Sequence, residues 1–204
     1  MLTAFDATDL SACSVSDALD AQTGGGILDG IHAMTPCGVV IGFAFTVTFE
    51  EGPGPFNEYL SSVPPHSVLI LDGGGRTDLS LWGAIISTEA HRLEMSGTLI
   101  NGACRDLTEL AEITYPVFAR GRTPRSGRGA VHTVGVDVPL SIGGVSVNPR
   151  DLIVADRDGV VIVPHRHAEQ VLNRARRITR RDEAIRERVR SGLSLKDARS
   201  SLPI

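Results

Sequence analysis

The hydrophobic patterns of both halves of the chain predict an α/β fold. Residues 68–71 form a continuous apolar run within 67–72, residues 81–95 have helical periodicity, and residues 97–104 form a second, largely apolar run. This order predicts a strand–helix–strand unit. In the second half, short Val-rich segments separated by Gly and Pro predict a small antiparallel or barrel-like layer.

The first half opens with a predicted helix at residues 14–21, where Ser14 and Asp17 have the spacing of a partial capping box. Residues 39–49 are rich in β-branched and aromatic side chains and predict a strand. A short helix is predicted at residues 57–62. Four consecutive apolar residues within 67–72 then predict a strand that is covered on both faces.

In the second half, the predicted strands lie at residues 115–118, 130–138, 144–147, 152–155 and 159–163, with a hairpin turn at 156–159. Residues 165–190 then have the pattern of one long helix. Its apolar stripe consists of Ala168, Val171, Leu172, Ala175, Ile178, Ile185 and Val189. We therefore expect an α/β domain over residues 1–164 and a C-terminal helical extension over 165–204, packed on the same or a neighbouring subunit.

Composition narrows the functional classes. The 204 residues suffice for one well-buried domain, and a net charge of −4 provides no general attraction to nucleic acid or anionic lipid. Nine Arg lie between residues 165 and 190, but the regular apolar stripe indicates that the Arg-rich face is solvated, so nucleic acid is not an expected partner. The sequence has no signal-peptide pattern and no apolar stretch that could span a bilayer, which predicts a cytoplasmic protein without a membrane partner.

The cysteines and the single lysine argue against disulfide, zinc and Schiff-base chemistry. The three cysteines are far apart in the sequence and form no CxxC pair, which argues against a disulfide scaffold and a zinc site. Lys196 is the single lysine, and it lies in a polar segment where it would not be desolvated as a Schiff-base amine requires. Carbonyl chemistry in this chain would therefore need a metal ion or an arginine.

Arg105 and Asp106 directly follow the predicted strand at 97–104. Parallel sheets bind their ligands at this edge. An Asp there can ligate a hard divalent cation, and a neighbouring Arg can hold a carboxylate through two parallel hydrogen bonds. Gly83 lies at the entry to the helix between the two strands, where unpaired backbone N–H groups favour an anion. The triple glycine at 73–75 has neither the spacing of a dinucleotide-binding loop nor a phosphate-binding lysine.

Several motifs in a fixed order resemble the RraA-like family, which includes metal-dependent 4-hydroxy-4-methyl-2-oxoglutarate and 4-carboxy-4-hydroxy-2-oxoadipate aldolases. The matching segments are VSDAL at 15–19, WG at 82–83, GTLINGACRD at 97–106, GGVSVNPRD at 143–151 and ADRDGVVIVP at 155–164. The resemblance implies a compact β/β/α domain related to the swivelling phosphohistidine fold. It also implies trimers or hexamers with sites between subunits.

The resemblance further implies a set of site residues. Asp106 would be the one direct protein ligand to Mg²⁺ or Mn²⁺, with water completing the shell, and Arg105 would bind the substrate and neutralise negative charge on its enolate oxygen. The carboxylate of a small 2-keto acid would bind the backbone N–H groups of Gly83, Ala84, Ile85 and Ile86. Glu183 is the candidate for an acidic residue that a neighbouring subunit contributes.

These features together predict a lyase that depends on a divalent metal. It would cleave a 4-hydroxy-2-oxo acid by retro-aldol chemistry, decarboxylate oxaloacetate, or do both, because each reaction passes through a pyruvate enolate. The family's aldolases carry an acidic residue at the position of Ala84, and Glu89 is a carboxylate further along the same predicted helix. The alanine leaves two alternatives open. One is a non-catalytic regulator that binds a protein partner, and the other is a different metal-dependent reaction on the same scaffold.

Overall fold

The computed structural model describes residues 9–20 and 22–200. In this part of the chain, the α-helices are α1 Ala12–Ala18, α2 Ala84–Arg92, α3 Leu107–Ile113, α4 Ala168–Arg190 and α5 Leu195–Ser200, and the 3₁₀ helices are Glu58–Ser62 and His165–His167. The strands are β1 Gly26–Ile27, β2 His32–Ala33, β3 Val40–Glu51, β4 Val68–Asp72, β5 Ser80–Trp82, β6 Gly97–Cys104, β7 Val117–Arg122, β8 Val131–Val136, β9 Leu140–Ile142, β10 Val145–Val147, β11 Leu152–Ala155 and β12 Val160–Val163.

The centre of the fold is a parallel sheet in the order β3-β4-β6-β7, in which β5 also pairs in parallel with the end of β6. Strands β4 and β6 with helix α2 between them are the predicted strand–helix–strand unit, which is confirmed. Strand β3 joins this sheet to the antiparallel part, because it also pairs with β11 at its beginning and with β8 at its end. A turn in which the Asp156 N–H donates to the Gly159 carbonyl at 3.0 Å connects β11 and β12 as the predicted hairpin.

The central strands are buried on both faces, as their continuous apolar runs predict. In β4, Leu69 and Leu71 pack in the cluster that includes Ile86 of α2 and Leu110 of α3, while Val68 and Ile70 pack in the core between the two sheet regions. Strands β11 and β12 divide their side chains in the same way between that inner core and the layer beneath α1 and α4. The result is an α/β/β/α sequence of layers, which confirms the predicted fold class.

The prediction of a helix at residues 81–95 is wrong at its beginning. Residues 80–82 form β5, because their backbone pairs with β6 and the Arg105 N–H donates to the Trp82 carbonyl at 3.0 Å. The first helix also begins earlier than predicted: Ser11 caps α1, and its reciprocal partner in the capping box is Ser14. Ala21, at the predicted end of that helix, lies outside the described residues.

Helix α3, with seven residues, has no counterpart in the prediction. The predicted C-terminal helix is confirmed from Ala168 onwards, whereas His165–His167 form a 3₁₀ turn before it. Most of the apolar stripe of α4 packs against α1. Arg174 Nη1 of α4 also forms a 2.8 Å ion pair with Asp20. Val189, near the end of α4, is 40% exposed. The domain division at residue 164 stays a prediction. Among the described residues, no helix has the length and apolar character needed to cross a membrane.

Candidate active site at the carboxyl end of strand β6

The end of β6 turns sharply, and this turn directs an aspartate back toward α2. Asp106 has left-handed backbone angles, with φ 62° and ψ 39°, and is the N-cap residue of α3. Its carboxylate Oδ2 accepts a hydrogen bond of 3.1 Å from the Ala84 backbone N–H. The same oxygen lies 3.4 Å from Arg105 Nε, so the predicted cation and anion form an ion pair beside the first turn of a helix.

Gly83 makes this arrangement possible. It is the N-cap of α2, as predicted for the helix entry. Because glycine has no side chain, Gly83 itself makes no side-chain capping hydrogen bond. A Cβ atom at this position would lie 2.5 Å from Asp106 Oδ2. Because glycine has no Cβ, the carboxylate can approach the helix N-terminus and cap it from another segment of the chain. In the first turn, the N–H groups of Ile85 and Ile86 have no intrahelical acceptor and can bind an anion.

Contacts of Trp82 stabilise the junction between β5 and α2. Its indole Nε1 donates a hydrogen bond of 2.6 Å to Ser87 Oγ, and both residues are buried. The indole also stacks on the Tyr115 ring, with centroids 6.4 Å apart. Burial raises the pKa of Tyr115, whose hydroxyl lies 2.9 Å from Thr98 Oγ1. These contacts hold the end of β5 against the beginning of α2, and therefore hold Gly83 in place.

Arg105 and Asp106 line a pocket of about 300 Å³ together with Gly83. The apolar part of its wall comes from Phe56, Leu60, Leu81, Trp82, Ile85 and Ile86. The polar part comes from Asn57, Ser80, Glu89, Ser126 and Arg128. A pocket with a largely apolar wall and a few charged groups can bind a small organic acid.

The donor set at Asp106 fits a hydrated magnesium-type ion. Oδ2 is hydrogen-bonded to Ala84, while no hydrogen bond to Oδ1 occurs within residues 9–20 and 22–200. That described part also contains no group of three His, Cys, Asp or Glu side chains that could hold a metal together. Mg²⁺ gives up water reluctantly and is commonly held by one or two carboxylates, so one aspartate with a mostly aqueous shell is compatible with it.

The structure brings most of the predicted site residues together, and places two of them elsewhere. Gly83, Ile85, Ile86, Arg105 and Asp106 all line the pocket. The side chain of Ala84 is buried at 5% exposure, and the residue reaches the site through its N–H alone. Glu183 is exposed on α4 and does not line the pocket of its own chain, so its role as a neighbouring subunit's contribution stays a prediction.

Glu89 does not supply the carboxylate that Ala84 lacks. Both of its oxygens are bound by Arg92, through Nε at 2.9 Å and Nη2 at 2.7 Å. These hydrogen bonds and the charge of Arg92 lower the pKa of Glu89. Glu89 is therefore an ionised side chain in the pocket wall that already has a partner.

Cys104, the last residue of β6, is not a nucleophile for this site. Burial raises the pKa of its thiol to about 11, so the thiolate is scarce at neutral pH.

Sequence reasoning missed the part of the pocket wall that comes from irregular segments. Phe56 and Asn57 precede a 3₁₀ turn, and Ser126 and Arg128 lie in the loop between β7 and β8. Neither segment has a periodic pattern or a motif that indicates a site. The position of Ser126 and Arg128 follows from the pairing of Ser80 with Ser126, which is a contact between residues distant in sequence.

Comparison with known proteins identifies the class of this fold and site. The model of the RraA-like family, described as Aldolase/RraA, matches residues 12–162. The chain therefore belongs to the RraA-like family.

Two relatives differ in how much of their length the chain spans. Protein DlpA of Legionella pneumophila is 34% identical over 198 residues, a match that covers 93% of this chain but only 32% of DlpA. A protein of Halalkalibacterium halodurans, provisionally named 4-hydroxy-4-methyl-2-oxoglutarate aldolase, is 32% identical over 179 residues, covering 85% of this chain and 81% of that protein.

Two solved structures share the fold along nearly the whole chain. An uncharacterized protein from Pseudomonas syringae is 36% identical and superimposes with a TM-score of 0.88, covering 95% of this chain and 94% of the other. RraAS2 of Streptomyces coelicolor, described as an unusual member of the RNase ES inhibitor RraA protein family, is 26% identical, with a TM-score of 0.80 and coverage of 89% and 95%.

Proposed function

We propose that this protein is a lyase acting on a small 2-keto acid with the help of Mg²⁺ or Mn²⁺. The reactions are retro-aldol cleavage of a 4-hydroxy-2-oxo acid and decarboxylation of oxaloacetate, both of which release pyruvate. The observation that carries the proposal is the Arg105–Asp106 ion pair at the N-terminus of α2 inside a pocket. The similarity to a relative with an aldolase name supports it.

Each group of this site has a separate task. The N–H groups of Ile85 and Ile86, with the positive end of the α2 dipole, bind the carboxylate next to the keto group. The Arg105 guanidinium lies beside the keto oxygen and stabilises the negative charge that develops there when the C3–C4 bond breaks. Asp106 would hold the divalent ion, which supplies Lewis-acid polarisation of the keto acid when bound.

The apolar wall has a further task. Leu60, Leu81 and Trp82 are almost completely buried and exclude water from one side of the pocket. Water exclusion strengthens the electrostatic contacts that Arg105 and the helix N-terminus make with the substrate.

We further propose that the active form is a homotrimer or homohexamer in which Glu183 of one copy completes the site of the next. Glu183 is exposed, and the second half of α4 has an exposed apolar side chain at Val189, so this part of the helix is available to a neighbouring copy. An acidic side chain delivered in this way would exchange a proton with the substrate hydroxyl.

The proposal is tested by following pyruvate release from oxaloacetate after chelation, with and without added Mg²⁺ or Mn²⁺. In Asp106→Asn, we expect metal-dependent release and Mn²⁺ binding by calorimetry to be lost, because an amide is a much weaker ligand than a carboxylate. Asp137→Asn is the control, since Asp137, like Asp106, is an aspartate with positive φ, at 55°, but it is exposed and does not line this pocket. Metal-dependent release at the wild-type rate in Asp106→Asn would refute the assignment.

A regulatory function is the second candidate, and the environment of Ala84 favours it. No carboxylate stands at this position, and Arg92 already binds both oxygens of Glu89. The similarity to RraAS2, with its inhibitor-family description, points in the same direction. A regulator of this kind would bind its protein partner equally well in the wild type and in Asp106→Asn, whereas the lyase would lose its activity.

A further inference from the structure

Strand β6 exchanges one neighbouring strand for another shortly before it reaches the site. Its first five residues pair with β4, whereas its last two pair with β5. Between these two parts, Asn101 and Gly102 together lie opposite the single residue Arg120 of β7. This is a β-bulge, which is uncommon between parallel strands and which bends the strand and redirects the side chains that follow it. The residues that follow this bulge are those that enter the pocket.

Asn101 holds the bulge through both groups of its side-chain amide, which is buried. Its Nδ2 donates a hydrogen bond of 2.6 Å to Asp72 Oδ1 at the end of β4, and its Oδ1 accepts a hydrogen bond from Arg120 Nε. The Asn101 carbonyl also accepts hydrogen bonds from the N–H groups of Gly73 and Gly75, at 3.1 and 3.0 Å. Because the aspartate accepts and the arginine donates, the residue between them must do both, as an amide does.

The contacts of Asn101 reach β5 as well as β6. Gly73, which the Asn101 carbonyl binds, packs so closely on Leu81 that a Cβ at this glycine would lie 2.6 Å from Leu81 Cδ1. Leu81 belongs to β5 and lines the pocket. On the other side of the sheet, Arg120 Nη1 donates to the Asp29 carbonyl at 3.0 Å, which fixes the arginine that binds Asn101. One buried amide therefore connects the strand that carries the Arg–Asp pair with the strand that leads into α2.

We propose that Asn101 is a positioning residue for Asp106. By fixing the bulge, it sets the direction in which Arg105 and Asp106 leave β6, and therefore the 3.1 Å contact between Asp106 Oδ2 and the Ala84 N–H. Asn101 does not line the pocket, so it acts only through the residues that it holds. The effect of Asn101 on the rate of reaction rests on the proposed function, whereas its effect on the contact at Ala84 does not.

The Ala84 amide signal tests the contact without any substrate. In ¹H–¹⁵N spectra of protein labelled at the alanine nitrogens, Asp106→Ala gives the reference position of this signal without the carboxylate acceptor. We expect Asn101→Asp to shift the signal most of the way to that position, because a second carboxylate beside Asp72 repels it and disrupts the bulge. Asn101→Ser removes the same two side-chain contacts without adding a charge. It should shift the signal in the same direction, so the test does not depend on the folding of one variant.

Exchange of the two neighbouring side chains provides the rescue. In the double variant Asp72→Asn/Asn101→Asp, the new amide on β4 donates to the new carboxylate on β6, which also accepts from Arg120. We expect Asn101→Asp alone to lose about 10- to 100-fold in metal-dependent pyruvate release, the usual cost of losing a group that orients a metal ligand. The double variant should recover both the Ala84 signal and the rate of the wild type.

Val154→Ala separates positioning from a general loss of stability. Val154 is buried in β11 in the core beneath α1 and α4, and it does not line the pocket. Truncation of this core side chain lowers stability, but we expect the Ala84 signal and the rate to stay as in the wild type. The inference is overturned if folded Asn101→Asp and Asn101→Ser keep the wild-type Ala84 signal, or if Val154→Ala shifts it equally. It is also overturned if the exchange of side chains does not restore the signal.

The two readouts distinguish this inference from the proposed function. A wild type that releases no pyruvate, but whose Ala84 signal depends on Asn101, contradicts the lyase proposal and retains the positioning role. Metal-dependent release in the wild type, with an Ala84 signal that does not respond to Asn101→Asp or Asn101→Ser, retains the lyase proposal and contradicts the positioning role.

Discussion

Gly83→Ala offers a direct test of the geometry between the helix N-terminus and Asp106. The glycine has φ −164°, an extended conformation that alanine adopts without strain. The new Cβ, however, would lie 2.5 Å from Asp106 Oδ2 and 3.2 Å from Arg105 Cγ, whereas ordinary contacts begin at 3.4 Å. The carboxylate must therefore move by about 0.9 Å, and a displacement of about 1 Å in an active site can cost about 100-fold in rate.

We expect Gly83→Ala to lose about 100-fold in metal-dependent pyruvate release while keeping a cooperative unfolding transition. Release from oxaloacetate and Mn²⁺ affinity are measured on the same preparations. Gly38→Ala is the control, because a Cβ at Gly38 has no neighbouring atom within 4 Å. If Gly83→Ala retains activity and Mn²⁺ affinity within twofold of the wild type, the close approach of Asp106 to α2 has no functional role, and the reasoning fails.

Three further predictions concern the surroundings of this contact. Ala84→Asp should lower Tm in the absence of metal, because the new carboxylate repels that of Asp106. It should also enlarge the increase in Tm on adding Mg²⁺, and an equal increase in the wild type and the variant would contradict this. Ser87→Ala should reduce the free energy of unfolding in urea by about 1–3 kcal/mol, since it leaves a buried indole N–H without an acceptor, and an unchanged midpoint would disprove it. With a thiol pKa of about 11, only about one Cys104 in a thousand is ionised at pH 8. Iodoacetamide should therefore modify exposed Cys13 first in the folded protein, and equal labelling by mass spectrometry would count against it.

Patterns within single segments of the chain predicted part of the site. The largely apolar run at Gly97–Cys104 predicted a buried strand with the correct bounds, and Arg105 and Asp106 followed at its ligand-binding edge. Gly83 was correctly placed at a helix entry. The same pattern failed at residues 80–82, because a three-residue strand is too short to have a period that distinguishes it from the first turn of a helix.

The other wall of the pocket could not be derived in this way. Arg128 lies in an irregular segment, and its place in the pocket wall that it shares with Arg105 depends on hydrogen bonds between Ser80 and a loop more than forty residues later in the chain. Similarly, the sequence offers Glu89 as a replacement for the acid missing at Ala84, and only the side-chain contacts show that Arg92 has bound both of its oxygens.

By itself, the sequence determined the α/β class, the strand that ends at the Arg–Asp pair and the resemblance to the RraA-like family, because hydrophobic periodicity and ordered motifs are local properties of the chain. The tertiary structure decided which groups share a pocket, how close Asp106 comes to the α2 N-terminus, and which charges remain unpaired. These properties depend on distances between residues far apart in sequence, and such distances arise only when the two sheet regions and their helices pack into one core.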